Sequence, residues 1–247
     1  TLVVDTGMNR EECLKVISSG LRELDVDLNK TDFFITHMHA DHSGLVAKLA
    51  GDTSRVYFSR EDAAFLSSAD ARFWERQSNF ASINGFPEDE LERAINSHPG
   101  YKYSSRDYRD FHILEEGNTI SIGDYLFKGI KTPGHTRGHM CLYEPDKKLF
   151  ISGDHILIDI TPNISLWSNN ENPLSEYLLS LDKVYDLDVE LVLPGHRSTF
   201  RHFKERIREL KHHHQKRASE VLSILEGGKQ NACQVAAQMK WDMTYKS

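Results

Sequence analysis

The sequence predicts a layered α/β fold. Short apolar runs rich in strand formers alternate with stretches of helical spacing along the whole chain, and several of those runs end in tight glycine turns. No internal repeat or low-complexity tract interrupts the alternation. A chain of 247 residues can bury a sizeable core as one domain, a length at which α/β folds often stay undivided. With 39% hydrophobic and 27% charged residues, the composition is that of a soluble globular enzyme. A net charge of −7 argues against a protein that coats nucleic acid, while leaving room for a local basic patch.

The elements follow in order. Leu2-Val3-Val4 reads as a strand and Asp5-Thr6-Gly7 as a turn; Leu14, Ile17, Leu21 and Leu24 then recur at helical spacing. A strand over Phe33 to Ile35 leads into the loop His37-Met38-His39-Ala40-Asp41-His42, and Ser43 onward reads as a short helix. Arg55 to Phe58 is a further strand. Ser59 followed by Asp62 resembles a helix-start cap, with helical pattern to about residue 83. Pro87 with Glu88, Asp89 and Glu90 marks the next helix start, with acids near the positive end of the dipole. Residues 68–112 read as helical, polar and aromatic, an inserted cap whose own core uses Phe73, Trp74, Phe80, Phe86, Tyr101, Tyr103, Tyr108 and Phe111. Strands are expected at 119–131, 140–144, 148–152 and 189–193. Helices are expected at 174–186 and 200–226, the second ended by Gly227-Gly228, with another helical piece from Asn231. Residues 1–226 form the expected catalytic domain, with the cap insertion at about 68–112, and 227–247 a truncated helical extension. The chain opens on a strand already in progress and stops abruptly at Ser247. Further residues are expected beyond both ends, and a removed targeting segment stays open.

Cys13, Cys141 and Cys233 are odd in number and far apart, so neither a disulfide framework nor a cysteine–zinc site is indicated. A reducing cytosol, and hence a cytoplasmic location, fits that usage. No apolar run approaches the roughly 18 residues of a membrane span.

The chemistry concentrates at strand ends. The run from His37 to His42 packs four metal-capable side chains into six residues. Three further segments share one syntax of strand, glycine turn and ligand: Thr132-Pro133-Gly134-His135, Ile151-Ser152-Gly153-Asp154 and Leu193-Pro194-Gly195-His196. His37, His39 and His135 offer three nitrogens to one ion. Asp41, His42 and His196 offer a carboxylate and two nitrogens to a second, and Asp154 has an oxygen for each. Two such ions can share a hydroxide and clamp an electrophile. Individually, Asp41 also fits a helix cap and Asp154 a turn residue; the joint pattern points to metal.

These motifs resemble those of the metallo-β-lactamase superfamily. HMHADH matches its H-x-H-x-D-H motif, and PGHTRGH, SGD and PGH match its later motifs in order, over nearly the whole chain. The resemblance implies a four-layer αβ/βα sandwich with a helical insertion and a C-terminal helical extension, and metals in a cleft at one edge. It implies the same seven ligands, with Asp5 of the D-T-G turn supporting the ligand loop from behind. The H-x-H pattern departs from the di-iron flavoprotein branch. Gly153 to Leu157 and Pro162-Asn163-Ile164-Ser165 resemble YflN-type hydrolases and the β-lactamase-like protein two group, which includes a single-strand RNA nuclease.

The expectation is therefore a metal-dependent hydrolase in which a hydroxide bridging two metals cleaves an ester, thioester, lactone or phosphodiester bond. The metals are two divalent ions, zinc first, with manganese or iron also fitting these donors. Asp41 accepts or orients the nucleophile's proton as well as binding metal. His139 and His155 are candidates for supporting a ligand or protonating the leaving group. The substrate is expected to be a small acyl compound, with single-stranded RNA as the competitor; no residue is assigned to substrate, and no membrane partner or oligomeric state is read. The alternative class is a persulfide dioxygenase with a single iron. His98 and His112 are expected to face solvent. His212, His213 and His214 are adjacent on a helix and cannot chelate one ion. His214 is expected to pack inward on a stripe with Phe203, Ile207, Leu210, Ala218, Val221 and Leu225. Arg201, Lys204, Arg206, Arg208, Lys211, Lys216 and Arg217 form either a solvated face or a phosphate-binding strip.

Overall fold

A computed structural model describes residues 1–68, 71–104, 110–166 and 170–241, without the side chains of residues 68, 71 and 72. Tyr108 of the expected cap and the terminal Ser247 lie outside the described residues. The described chain divides into two compact units: Thr1–Ala69 with His98–Ile207, and Asp70–Ser97 with Arg208–Ser247.

The first unit carries two sheets. Strands β1 (Leu2–Val4), β2 (Asp32–Phe34), β3 (Val56–Phe58) and β4 (Phe111–Ile113) pair in that order, all parallel. Strands β5 (Thr119–Ile122), β6 (Tyr125–Lys131), β7 (Met140–Glu144) and β8 (Leu149–Gly153) form an antiparallel meander, and β9 (Leu191–Pro194) adds parallel to β8. The first sheet is buried on both faces, as parallel sheets require. Phe33, Val56 and Phe58 face α1 (Glu11–Glu23), α3 (Val46–Leu49) and α4 (Arg60–Ser68) through Leu21, Val46, Leu49, Ala63 and Leu66, and the short α2 (Ala40–Ser43) follows β2 in the chain. Phe34 and Tyr57 point the other way and meet Ile120, Phe127, Met140 and Leu142 of the second sheet. Helix α8 (Pro173–Tyr185) buries Tyr177, Leu181 and Val184, and Phe150 packs 5.2 Å from Phe203 at the start of α9 (Phe203–Leu225). Helix, sheet, sheet, helix is the expected four-layer order.

In the second unit α5 (Ala71–Ile83) packs on α6 (Glu88–Ser97), and α10 (Ala232–Gln238) starts in a capping box of Asn231 and Gln234. Cys233 N–H donates to the Asn84 carbonyl at 3.2 Å. A short helix α7 (Pro99–Tyr103) belongs to the first unit.

Several local expectations change. The strand expected over 119–131 is a hairpin turning at Gly123, whose φ is 55°. Residues 111–113 are the edge strand β4 rather than the tail of a helical cap; three residues, Phe-His-Ile, are too few to declare a period. Leu24 ends α1 and is exposed, so the stripe stops at Leu21. On α9 Ala218 and Leu225 face solvent, whereas Arg217, Val221 and Ile224 continue the inward line from Phe203, Ile207, Leu210 and His214. His212 and His213 are exposed, as are His98 and His112.

Candidate metal centre

Strands β6, β8 and β9 run in the same direction, because β7 is antiparallel to both β6 and β8. Their C-terminal ends therefore share one edge of the second sheet, and each is followed within a few residues by a donor: His135, Asp154 and His196. The fourth segment leaves β2 and turns helical inside the ligand run. His37 lies in a bend and His39 is extended, at φ −62° and ψ 148°, and the bend brings the two rings together. Asp41 and His42 sit on the first turn of α2, not on the loop the sequence suggests, with the His42 ring 4.0 Å from that of His37.

All seven donors converge in three overlapping groups: His37, His39 and His135; His37, His42 and Asp154; Asp41, His42 and His196. His37 Nε2 lies 3.1 Å from His39 Nδ1 and 3.2 Å from His135 Nε2. His196 Nε2 lies 3.3 Å from His42 Nε2 and 3.2 Å from Asp41 Oδ2. Asp154 stands between, with Oδ1 3.5 Å from His42 Nε2 and Oδ2 3.6 Å from His135 Nε2 and 3.4 Å from His196 Nε2. Bonds of roughly 2.0–2.1 Å to a tetrahedral zinc place neighbouring donors about 3.3 Å apart, so these spacings suit a shared cation. Asp154 Oδ1 is buried and accepts no hydrogen bond, the state of an oxygen shaped for a cation.

Behind the donors, hydrogen bonds set which nitrogen faces inward. Asp5 Oδ2 lies 2.7 Å from His42 Nδ1, which keeps a proton on Nδ1, so that a proton lost from this ring leaves Nε2 and frees the lone pair facing the centre. Asp5 also accepts from Thr36 N–H at 2.8 Å and from Thr36 Oγ1 at 2.9 Å, leaving that hydroxyl to accept from His37 Nδ1 at 2.9 Å. His135 Nδ1 donates to the Asn163 carbonyl at 2.6 Å. His139 Nε2 accepts from Asp154 N–H at 3.1 Å and its Nδ1 donates to Thr132 Oγ1 at 2.8 Å, which anchors the Asp154 turn. His155 is buried and its ring lies 6.0 Å from that of His139; no hydrogen bond joins it to any of the seven donors.

Glycine has two separate uses here. Gly153, at φ 47°, makes the left-handed turn that releases Asp154 from β8. Gly195 needs no such turn; a Cβ there would stand 2.6 Å from Asp154 Oδ1 and 2.7 Å from His42 Cε1. Space, rather than backbone freedom, makes residue 195 a glycine.

Charge divides the centre. Burial pushes His37 far below its ordinary range and His39 to about 3, and lowers His135, so these three rings are neutral. Burial alone would lower His42 as well, but Asp5 and Asp154 raise it well above normal. Hydrogen bonds that His196 donates to Asp154 and Asp41 lift its pKa to about 9. Against its own burial, Asp41 is held at about 2 by His196 and His42, and Asp154 far below the carboxylate range by the same histidines. His139 and His155 are pushed down by burial, His155 to about 3.

The sequence names all seven donors, Asp5 and His139. It gives no role at the site to Thr36, the Asn163 carbonyl or Asp62, which accepts from Met38 N–H, Gly138 N–H and Thr136 Oγ1. The Thr immediately before the first histidine is the one local signal that could have been read.

The human acyl-coenzyme A thioesterase MBLAC2 is 29% identical over 218 residues, spanning 81% of this chain and 70% of that protein. The chain spans 55% and 56% of the bovine and chicken proteins of that name, a little over half their length. The atrochrysone carboxyl ACP thioesterase of Aspergillus fumigatus is 22% identical, over 91% of this chain and 56% of that protein. Among solved structures, a metallo-beta-lactamase family protein from Thermus thermophilus superposes with a TM-score of 0.82 at 26% identity, covering 94% of this chain and 76% of its own. The family model of the metallo-beta-lactamase superfamily matches residues 1–196, which include every donor described above, and this chain belongs to that superfamily as one of its enzymes.

Proposed function

We propose that this chain is a dinuclear metal-dependent hydrolase of acyl thioesters. His37, His39 and His135 would hold one ion and Asp41, His42 and His196 the other, with Asp154 within reach of both groups. The observation that supports this reading is the convergence of seven side chains, whose neighbouring donor atoms stand 3.1–3.7 Å apart and include a buried, unbonded oxygen of Asp154. When bound, such a pair of ions brings the pKa of water toward neutrality and polarises a carbonyl.

The chain's own groups do the rest. Asp5 and the Asn163 carbonyl fix the ring protons of His42 and His135 on the outer nitrogens. Asp41 is one-third exposed and ionised, placed to orient and accept the proton of the attacking water. Neither histidine beside the centre is suited to protonate a leaving group. His139 is committed at both nitrogens, and His155 is sealed in the core as a neutral ring. That favours a leaving group that departs as an anion. A thiol, with a pKa of roughly 8.5 against roughly 15.7 for water, leaves unaided where an alkoxide does not. The names of the two thioesterase relatives agree with this chemistry. The RNA reading is weakened because several of its cations serve the chain itself. Arg206 donates to the Leu157 and Ile160 carbonyls, and Arg217 to Glu220 and the Lys240 carbonyl.

The test is thiol release from acyl-coenzyme A and acyl-carrier-protein thioesters by protein purified without chelators, beside oxygen-ester, lactone, single-stranded RNA and persulfide substrates. Thiol release that stops on metal removal and returns with zinc or manganese is expected. Turnover of RNA or oxygen esters without thioesters would overturn the substrate class, and one iron per chain with oxygen uptake would overturn the reaction class.

A further inference from the structure

Ser59 and Asp62 open α4 as the sequence suggests, with Asp62 N–H donating to Ser59 Oγ at 3.4 Å. The Asp62 carboxylate, however, turns away from its own helix. It is 1% exposed and takes three donors from two other segments. Met38 N–H donates to Oδ2 at 2.9 Å, Thr136 Oγ1 to Oδ2 at 2.7 Å, and Gly138 N–H to Oδ1 at 2.8 Å. Met38 lies between His37 and His39, and Thr136 follows His135. Each donor of the three-histidine group is thus one residue from a bond to this carboxylate. One segment follows β2 of the first sheet, and the other joins β6 to β7 of the second. Room for the carboxylate is made by Gly138, where a Cβ would stand 2.7 Å from Asp62 Oδ1 and closer still to Ser59 Oγ. Thr136 and Gly138, two residues of the PGHTRGH motif that bind no ion in our reading, both serve Asp62.

We infer that Asp62 is a positioning residue that sets the distance between the His37–His39 segment and His135, and so tunes the ion held by those three histidines and not the one held by Asp41, His42 and His196. This rests on the two-ion reading above. All three partners are donors, so only a carboxylate satisfies them together. An amide in its place turns an N–H toward one of them and leaves a buried donor unpaired.

The experiment measures cobalt and zinc affinity in two backgrounds. His196→Ala weakens the second group and leaves the three histidines intact; His135→Ala does the reverse. Adding Asp62→Asn is expected to lower affinity about 10–100-fold in the His196→Ala background, with an altered cobalt absorption spectrum, the size usual for losing a ligand's supporting bond. In the His135→Ala background the change is expected to stay within about threefold. Equal losses in both backgrounds, or no loss in either, overturns the inference while leaving the two-ion reading standing. If Asp62→Asn does not fold, Thr136→Val removes one of the three bonds without a mismatched amide. It should give a smaller loss with the same asymmetry, and symmetry there overturns the inference equally. A His196→Ala protein that binds no ion at all removes the two-ion reading, and this inference with it.

Discussion

The two halves of the candidate metal centre are built on opposite principles. His37 and His135, both buried, and the half-buried His39 form a cluster of neutral rings, their pKa values pushed down by desolvation. Asp41, His42 and His196 form a charged cluster in which His196 is 37% exposed and the imidazoles are drawn up by carboxylates. A neutral imidazole is ready to bind a cation, whereas a protonated one must first give up its proton. The same residue type therefore stands ready in one half and blocked in the other, and the difference lies in which carboxylates each half faces.

Asp154 is the group the halves share, so its loss should erase the distinction. Asp154→Ala is expected to lower thioester turnover by at least about a thousandfold, beyond what a single transition-state contact usually supplies. It should also weaken both ions while circular dichroism stays that of a folded chain. Turnover within tenfold of the original chain would break the account of a shared carboxylate.

Asp5 separates the halves more finely. It touches His42 directly but reaches His37 only through Thr36. Asp5→Asn should cost the charged half about 10–100-fold in metal affinity, and the neutral half less. Equal losses would mean that Asp5 acts on the loop as a whole.

The next difference is read with pH. Above its ordinary value of 6.5 and up to about 9, His196 still holds a proton in the metal-free chain. Zinc affinity of the charged half should rise about tenfold per pH unit across that window, for each proton displaced. His39, at about 3, has no proton to lose, so the neutral half should stay flat above pH 6. Isothermal titration in buffers of different ionisation enthalpy separates the two; parallel slopes would contradict the contrast.

The smallest effect is on stability. A histidine whose folded pKa is raised contributes fully below its unfolded value and loses that contribution as pH climbs through the folded one. The metal-free chain should therefore melt at a lower temperature at pH 9 than at pH 6.5, with the shift reduced in a His196→Gln variant.

How much of this the sequence discloses depends on distance along the chain. The donors are legible because each follows a strand run, and because His37, His39, Asp41 and His42 lie within six residues. Asp5 is legible through its turn motif. Asp62 is not, because Ser59 and Asp62 read locally as a helix cap, while its partners Met38 and Gly138 are 24 and 76 residues away. Such bonds exist only after two sheets have packed. The strand β4 is hidden for a related reason: its pairing with Val56, Tyr57 and Phe58, not its three-residue pattern, makes it a strand. On α9, the inward line follows alternating steps of three and four to Arg217 and Ile224. Apolar character alone suggests Ala218 and Leu225, but the long Arg217 side chain can lie along the buried line and still bond Glu220.

The central claim is that two cations sit side by side, one in each half. Anomalous diffraction at the zinc edge, from crystals of metal-free protein soaked with zinc at pH 8, tests it directly. The account predicts two peaks: one bounded by His37, His39, His135 and Asp154, the other by Asp41, His42, His196 and Asp154. A single peak at full occupancy under saturating zinc, or peaks away from these side chains, would contradict it.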